Sequence, residues 1–400
     1  MKKSCHVMAK PTGSQCNINC DYCFYLEKSH LYPLRKSSCM DNATLDLFIQ
    51  QQIDAQQTDE VIFAWQGGEP TLAGIDFFSR ARTLQKKYAK GKRIINTLQT
   101  NGVLINDKWC NFFREHNFLI GISIDGDEEL HDCYRKTQAG KSTHQQVLKA
   151  IRKLVDHEVG FNTLTVLHDV NVQHPLRVYN YLKEIGSTDM QFIPLLEREA
   201  RSDLTSDYTW VPPDFQGETK VSAQSITPDD FSKFMKTIFY HWLRRDIGNI
   251  GIQFFEHIFS VWCKLPAQIC IFAEQCGTAL ALEMNGDVYH CDHYVYPQYK
   301  AGNIHSDSIM NIRDGQNNTN FAIAKSKKLA NECQVCEFKF ACYGGCPKHR
   351  ITPSLSGGEN LNYFCSGYKA FFHYAKPYML MMKSLWDNGI SPTEIKNLIL

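Results

Sequence analysis

No stretch of this 400-residue chain approaches 18 consecutive apolar residues, which argues against a transmembrane helix. Lys2 and Lys3 stand near the start, but no apolar run follows them, so the N-terminus does not have the pattern of a secretory leader. Excess charge of one sign is missing as well. The formal net charge is +1, which removes the long-range field that nucleic acids or anionic membranes draw on. Low-complexity tracts are absent, as are fixed-period repeats beyond strand–helix units. So are the common nucleotide and hydrolase signatures. Gly140-Lys141-Ser142 ends like a P-loop, yet Arg135 stands where the upstream glycine is required. No G-x-G-x-x-G follows a strand, and no serine or cysteine elbow suggests hydrolase chemistry. The expectation is a soluble, cytoplasmic protein with neither a nucleic acid nor a membrane as partner.

What the chain does have is 16 cysteines. A chain this long, with 43% hydrophobic residues, can bury one large core or two smaller ones without disulfides. In a reducing compartment thiols at short, regular spacings point to metal. They crowd near the start and in the last third.

Between residues 5 and 196 strand and helix patterns alternate. Strands are expected at Val7–Lys10, Val61–Trp65, Ile94–Gln99, Leu119–Ile124, Asn162–Leu167 and Met190–Pro194. Amphipathic helices are expected at Ala43–Gln57, Asp76–Lys90, Asp107–His116, Thr143–His157 and Pro175–Ile185. Six strands with intervening helices imply a parallel sheet with right-handed crossovers, closed as a barrel or open and doubly wound. Residues 197–226 are polar and break the rhythm, as a binding element or linker would. Thr227 as N-cap, Pro228 and the acidic Asp229-Asp230 then start a helix running to about Arg245. Residues 270–365 are weakly periodic, as expected where metal replaces a hydrophobic core. Tyr368–Trp386 has the pattern of a final helix interrupted by Pro377.

Cys16-x3-Cys20-x2-Cys23 follows the first strand. Three thiolates on one tight loop can hold three irons of a [4Fe–4S] cube and leave the fourth iron open to a small molecule. A zinc site closed by His6 or His30 is the alternative. The motif, with Tyr22 before its last cysteine, resembles the radical SAM superfamily. That resemblance implies a cluster that binds S-adenosylmethionine (SAM) and cleaves it reductively to a 5′-deoxyadenosyl radical. It also implies that Gly67, Gly68 and Glu69, in Gly67-Gly68-Glu69-Pro70, hold the SAM amino group. Ser123 and Asp125 match ribose-contacting positions, and Arg135 matches an arginine facing the SAM carboxylate. Each alone has a bland reading, as turn, strand end or solvated charge.

The second array runs Cys270, Cys276, Gly286, Cys291, then Cys333-x2-Cys336-x5-Cys342-x3-Cys346, and last Cys365. It resembles the SPASM extension of radical SAM enzymes. The resemblance implies two fully ligated auxiliary [4Fe–4S] clusters, held by Cys270, Cys276, Cys291 and Cys346 and by Cys333, Cys336, Cys342 and Cys365. Full ligation suits electron transfer; two zinc sites are the alternative. Cys5, Cys39, Cys110, Cys133 and Cys263 are left over and expected to be ordinary buried thiols.

Across nearly the whole chain the sequence is similar to the anaerobic sulfatase-maturating enzymes. The stretches that carry this are Pro11-Thr12-Gly13, Cys23-Phe24-Tyr25-Leu26, Trp65 to Leu72, Gln99-Thr100-Asn101-Gly102, Ser123-Ile124-Asp125-Gly126, Gln191-Phe192-Ile193-Pro194 and Gly344-Gly345-Cys346-Pro347. The resemblance implies an α/β fold: a partial (β/α)6 radical SAM barrel, a small cysteine-rich SPASM iron–sulfur domain and a C-terminal helix. The expected divisions are 1–226 for the barrel and following loop, 227–269 for a connecting helical segment, 270–367 for the SPASM domain and 368–400 for the last helix. It implies oxidation of a sulfatase cysteine or serine to Cα-formylglycine, with three [4Fe–4S] clusters and SAM. The substrate would be an unfolded or nascent sulfatase polypeptide and the reductant a flavodoxin or ferredoxin. Asp292, directly after Cys291, matches the family's proposed catalytic base; a solvated loop carboxylate is the alternative. A SPASM maturase that crosslinks a ribosomal peptide is the rival enzyme, though a first cluster cysteine at residue 16 leaves no room for the N-terminal peptide-docking domain common there. A non-enzymatic zinc protein is the remote rival.

Overall fold

The computed structural model of the protein describes residues 5–31, 39–201, 208–277 and 279–399. Its contacts divide the chain into two units: residues 1–124, 131–162 and 277–322 form one, and residues 125–130, 163–276 and 323–400 the other.

In the first unit the alternation of apolar and polar residues produces strands β1 (His6–Ala9), β2 (Ile18–Cys20), β3 (Glu60–Trp65), β4 (Arg93–Thr100), β5 (Phe118–Ser123) and β6 (Arg135–Thr137). β1, β3, β4 and β5 lie side by side and parallel. Helices Asn42–Ala55, Gly74–Tyr88 and Asp107–Glu115 connect them. The core beneath them is aromatic: Phe48, Phe63, Trp65 and Phe78 are all sealed from solvent and meet edge to face or stacked. The strand Ala279–Leu282 pairs parallel with β1, with Val7 opposite Leu280. It continues antiparallel into Asp287–Tyr289 and Lys300–Asn303. The weakly periodic stretch after residue 270 therefore contributes to this unit's sheet. β2 and β6 form a separate antiparallel ribbon that sets Cys20 opposite Arg135.

In the second unit β7 (Phe161–Leu167) and β8 (Asp189–Pro194) are parallel, joined through helix Pro175–Glu184. The polar stretch after residue 197 forms a small antiparallel sheet, with Arg198–Arg201 between Tyr208–Trp210 and Lys220–Val221. Thr227 caps helix Pro228–His241 through a reciprocal box with Asp230. The final helix, Cys365–Asp387, is continuous through Pro377, contrary to the expected interruption. Pro377 and His373, whose carbonyl the proline leaves without an amide donor, are both on the exposed side. Phe371, Phe372, Ala375, Met379 and Met382 anchor the buried side.

Candidate functional site

In the first unit the loop after β3 lies directly on the loop after β1. Gly68 N donates to the Gly13 carbonyl at 2.9 Å and Glu69 N to the Gln15 carbonyl at 2.8 Å. Two glycines are required there. Gly67 has φ +133°, and a Cβ on Gly68 would stand 2.0 Å from the Gln15 carbonyl oxygen. Glu69 is fully buried. Its Oε1 accepts from Thr71 N at 3.0 Å, Thr71 Oγ1 at 2.6 Å and Thr100 Oγ1 at 2.7 Å, while Oε2 accepts from Asn101 N at 2.8 Å. Burial raises its pKa and these donors oppose the rise. The carboxylate thus ties the ends of β3 and β4 together under the cysteine loop.

Cys16, Cys20 and Cys23 share that loop as thiols. Cys23 N donates to the Cys20 carbonyl at 2.9 Å. Burial pushes the Cys16 thiol up to about 11, against donors at Ile18 and Asn101, so a metal there must displace the proton. Asn101 Nδ2 donates to Cys16 Sγ at 3.6 Å and to Asn17 Oδ1 at 2.7 Å. Arg135 is buried, with Nη1 3.9 Å from Cys20 Sγ and its guanidinium 5.5 Å from the Tyr22 ring centre. At the end of β5, Ser123 Oγ accepts from Gln99 Nε2 at 3.0 Å. His6 is exposed at the start of β1, and the side chain of His30 lies outside the described residues. Among those residues no three His, Cys, Asp or Glu side chains form a single-ion site.

Asp292 opens a short turn after Cys291. It is ion-paired with the buried Lys10, which follows β1. Burial alone would raise the Asp292 carboxyl, but Lys10, His293 and Lys28 outweigh it and hold it below the ordinary carboxylate range. Lys10 also lies 4.5 Å over the Tyr25 ring, and the Tyr25 hydroxyl is bonded to Glu283 Oε1. Lys28 lies 3.1 Å over the Tyr296 ring. His290 is buried, bonded to Asn318 Oδ1 at 3.0 Å and stacked on Phe321, which accounts for it structurally.

In the second unit the fully buried Asp125 accepts from Val166 N at 3.0 Å, and Asn171 Nδ2 donates to its carbonyl at 3.1 Å. Cys333, Cys336, Cys342 and Cys365 line one cavity with Tyr368 and Phe372. Cys342 is pushed up to about 12 by burial and then by Cys365 and Cys333. Four thiols around one apolar-walled cavity could supply the donor set of a fully ligated cluster. Cys270, Cys276 and Cys346 form a second thiol set: burial raises all three, and the charge of Cys346 acts on the other two. Cys291 belongs to the first unit. Of the five remaining thiols Cys5 and Cys110 are buried, but Cys39, Cys133 and Cys263 are only half-buried, so the expectation of buried thiols fails for these three.

Nothing in the sequence marks Lys10 or Asn101 as part of the site. Asn101 lies inside the Gln99-Thr100-Asn101-Gly102 stretch; a lone lysine gives no spacing to read.

Residues 11–182 match the radical SAM superfamily model, and residues 270–337 match the model of the SPASM iron–sulfur cluster-binding domain. A serine-type anaerobic sulfatase-maturating enzyme of Bacteroides thetaiotaomicron is 40% identical, over 98% of this chain and 94% of its own. A cysteine-type enzyme of Clostridium perfringens is 33% identical, over 94% and 97%. The solved structure of native anSMEcpe with bound AdoMet and a Cp18Cys peptide matches with a TM-score of 0.82 at 31% identity, over 95% of this chain and 98% of that one.

Proposed function

This chain belongs to the anaerobic sulfatase-maturating enzymes of the radical SAM superfamily, and on that footing we propose how its own residues divide the work. The enzyme oxidises a sulfatase cysteine or serine to Cα-formylglycine, using SAM and three [4Fe–4S] clusters. When bound, SAM and its cluster would supply the radical chemistry that takes hydrogen from the substrate Cβ.

Cys16, Cys20 and Cys23 hold the SAM-binding cluster, with Tyr22 beside them. Gly67 and Gly68 present backbone carbonyls to the SAM ammonium, and Glu69 fixes their loop and adds negative charge. Ser123 and Asp125 serve the ribose and Arg135 the carboxylate. Cys270, Cys276, Cys291 and Cys346 hold one auxiliary cluster; Cys333, Cys336, Cys342 and Cys365 hold the other. Residues 1–226 carry the radical chemistry and 270–367 the auxiliary clusters, linked by 227–269 and followed by 368–400. After hydrogen abstraction the substrate must lose one proton and one electron. Asp292 takes the proton from the thiol or hydroxyl, since Lys10 keeps it ionised at neutral pH. The eight thiolates would hold two auxiliary clusters, which would supply the acceptor for the electron. The product is an aldehyde, or a thioaldehyde that hydrolyses.

The observation that carries this reading is the Asp292 carboxylate paired with buried Lys10 in the unit that bears the Cys16–Cys23 loop. We further infer a cytoplasmic protein reduced by a flavodoxin- or ferredoxin-type carrier and acting on an unfolded or nascent sulfatase. No helix among the described residues is long and apolar enough to cross a membrane. The test is anaerobic incubation with SAM, dithionite and peptides carrying Cys-x-Pro-x-Arg or Ser-x-Pro-x-Arg. Mass spectrometry should find formylglycine in at least one; SAM cleavage with neither peptide altered would overturn the reading.

A further inference from the structure

Two cations in the second unit have no part in the chemistry so far. Lys325 is 1% exposed. Its Nζ donates to the carbonyls of Cys270 and Ile271, each at 2.9 Å. Arg350 is partly buried and donates to the carbonyls of Lys325 at 2.8 Å, Lys328 at 2.5 Å, Tyr343 at 3.1 Å and Gly344 at 3.2 Å. Among the described residues these bonds all end on backbone oxygens. Such dipoles solvate a cation without neutralising it, and burying a full positive charge this way is costly unless an anion lies close. The groups at hand that become anionic once metal displaces their protons are the cysteines of the second array. Cys276, Cys346 and Cys270 act on Lys325. Arg350 feels Cys333 and Cys342 from one set and Cys276 and Cys346 from the other.

We propose that the buried Lys325 and the partly buried Arg350 are fixed charges that set the reduction potentials of the auxiliary clusters, Lys325 acting on the Cys270/Cys276/Cys346 set and Arg350, which feels cysteines of both sets, on both. The inference rests on the reading above that both sets bind clusters. A cluster held by four thiolates carries net negative charge and gains one more on accepting the electron released by the substrate. A nearby fixed cation favours the reduced form, and net charge is one of the terms that fix such potentials. Both residues are therefore positioning residues for electron removal: they touch neither substrate nor SAM. Their chain positions support this, since Lys325 binds the very carbonyls of the Cys270 loop, while Arg350 follows Cys346 and clasps the Tyr343–Gly344 turn that leads into it.

The test is an anaerobic redox titration, followed by electron paramagnetic resonance, on the reconstituted full chain with Cys16, Cys20 and Cys23 replaced by Ala so that only auxiliary signals remain. In Lys325→Gln one of the two auxiliary signals should move. At fixed applied potential its reduced-to-oxidised ratio should fall at least about tenfold, which is about 59 mV for one electron. In Arg350→Gln both signals should move down. Lys325→Arg, which keeps the charge, should retain the parent potential. If Lys325→Gln sheds iron while Lys325→Arg keeps both iron and potential, the charge requirement still stands. The proposal is overturned if neither neutral variant shifts a signal at full iron content. It is equally overturned if Lys325→Arg shifts a signal as far as Lys325→Gln, or sheds iron as Lys325→Gln does, since packing would then be the cause. Absence of auxiliary iron in the parent chain would instead defeat the cluster assignment.

Discussion

The Lys10 ammonium and the Asp292 carboxylate form an ion pair in which the lysine is sealed from solvent and the aspartate side chain is 15% exposed. The pairing makes Asp292 available as an ionised acceptor at neutral pH and at the same time a weak base. A weak base suffices for a substrate whose proton becomes acidic as an electron leaves.

Replacing Asp292 by Asn keeps the shape and removes the acceptor. Formylglycine formation should fall by at least about a hundredfold, within the usual range for a general base, while 5′-deoxyadenosine is still produced. The loss should be harsher with a serine peptide, because a hydroxyl is a far weaker acid than a thiol of pKa about 8.5. The ratio of 5′-deoxyadenosine to formylglycine measures this, and an unchanged ratio at normal yield removes Asp292 from the mechanism.

Lys10→Met removes the leading charge that depresses Asp292. With the folded pKa released upward, the acidic limb of the product-formation profile should move to higher pH, so activity is lost earlier on acidification. A limb that stays in place, in a variant with full iron, would mean that Lys10 does not govern the acceptor. Some loss of stability is expected as well, since the aspartate is left without its buried partner.

Gly68→Ala tests the fit of the two loops. The new Cβ meets the Gln15 carbonyl, a backbone group that cannot step aside without moving the cysteine loop. SAM affinity, measured by equilibrium dialysis, should weaken at least about tenfold, with unaltered auxiliary iron. Wild-type affinity would show that the cradle is looser than its contacts indicate.

The two cysteine sets should separate by function. Anaerobic reconstitution should give about twelve irons per chain. Replacing Cys16, Cys20 and Cys23 by Ala should abolish SAM cleavage. Cys333→Ala or Cys336→Ala should leave some uncoupled cleavage but no formylglycine. About four irons with two zinc ions would make the second array structural.

Stability should depend on His257. Burial lowers its pKa from 6.5 to about 4, where it accepts from Gln268 N at 3.2 Å and stacks on Phe272. A histidine with a depressed folded pKa leaves the unfolded chain binding more protons between pH 6.5 and 4. Its stabilisation is complete above about 6.5 and declines on acidification toward 4, by about 3 kcal/mol over the whole window. Thermal melts from pH 7 to 5 should show a shallower decline for His257→Gln than for the parent; parallel declines would remove His257 as the cause.

The sequence by itself determined the local and the repetitive. Alternating strand and helix patterns placed β1, β3, β4, β5, β7 and β8 within about two residues, because each buries one periodic face. The Thr227 cap was legible because capping is local chemistry. The cysteine spacings were legible because one small centre must be reached from short loops. Tertiary structure decided what depends on residues distant in the chain. It put Lys10 on Asp292, Arg135 beside Cys20 through the β2–β6 ribbon, and Ala279–Leu282 alongside β1. It also carried the last helix through Pro377, whose missing hydrogen bond faces water while the opposite face stays packed. Lone charges carry no periodicity or spacing, so their roles become visible only when folding has chosen their neighbours and removed the water between them.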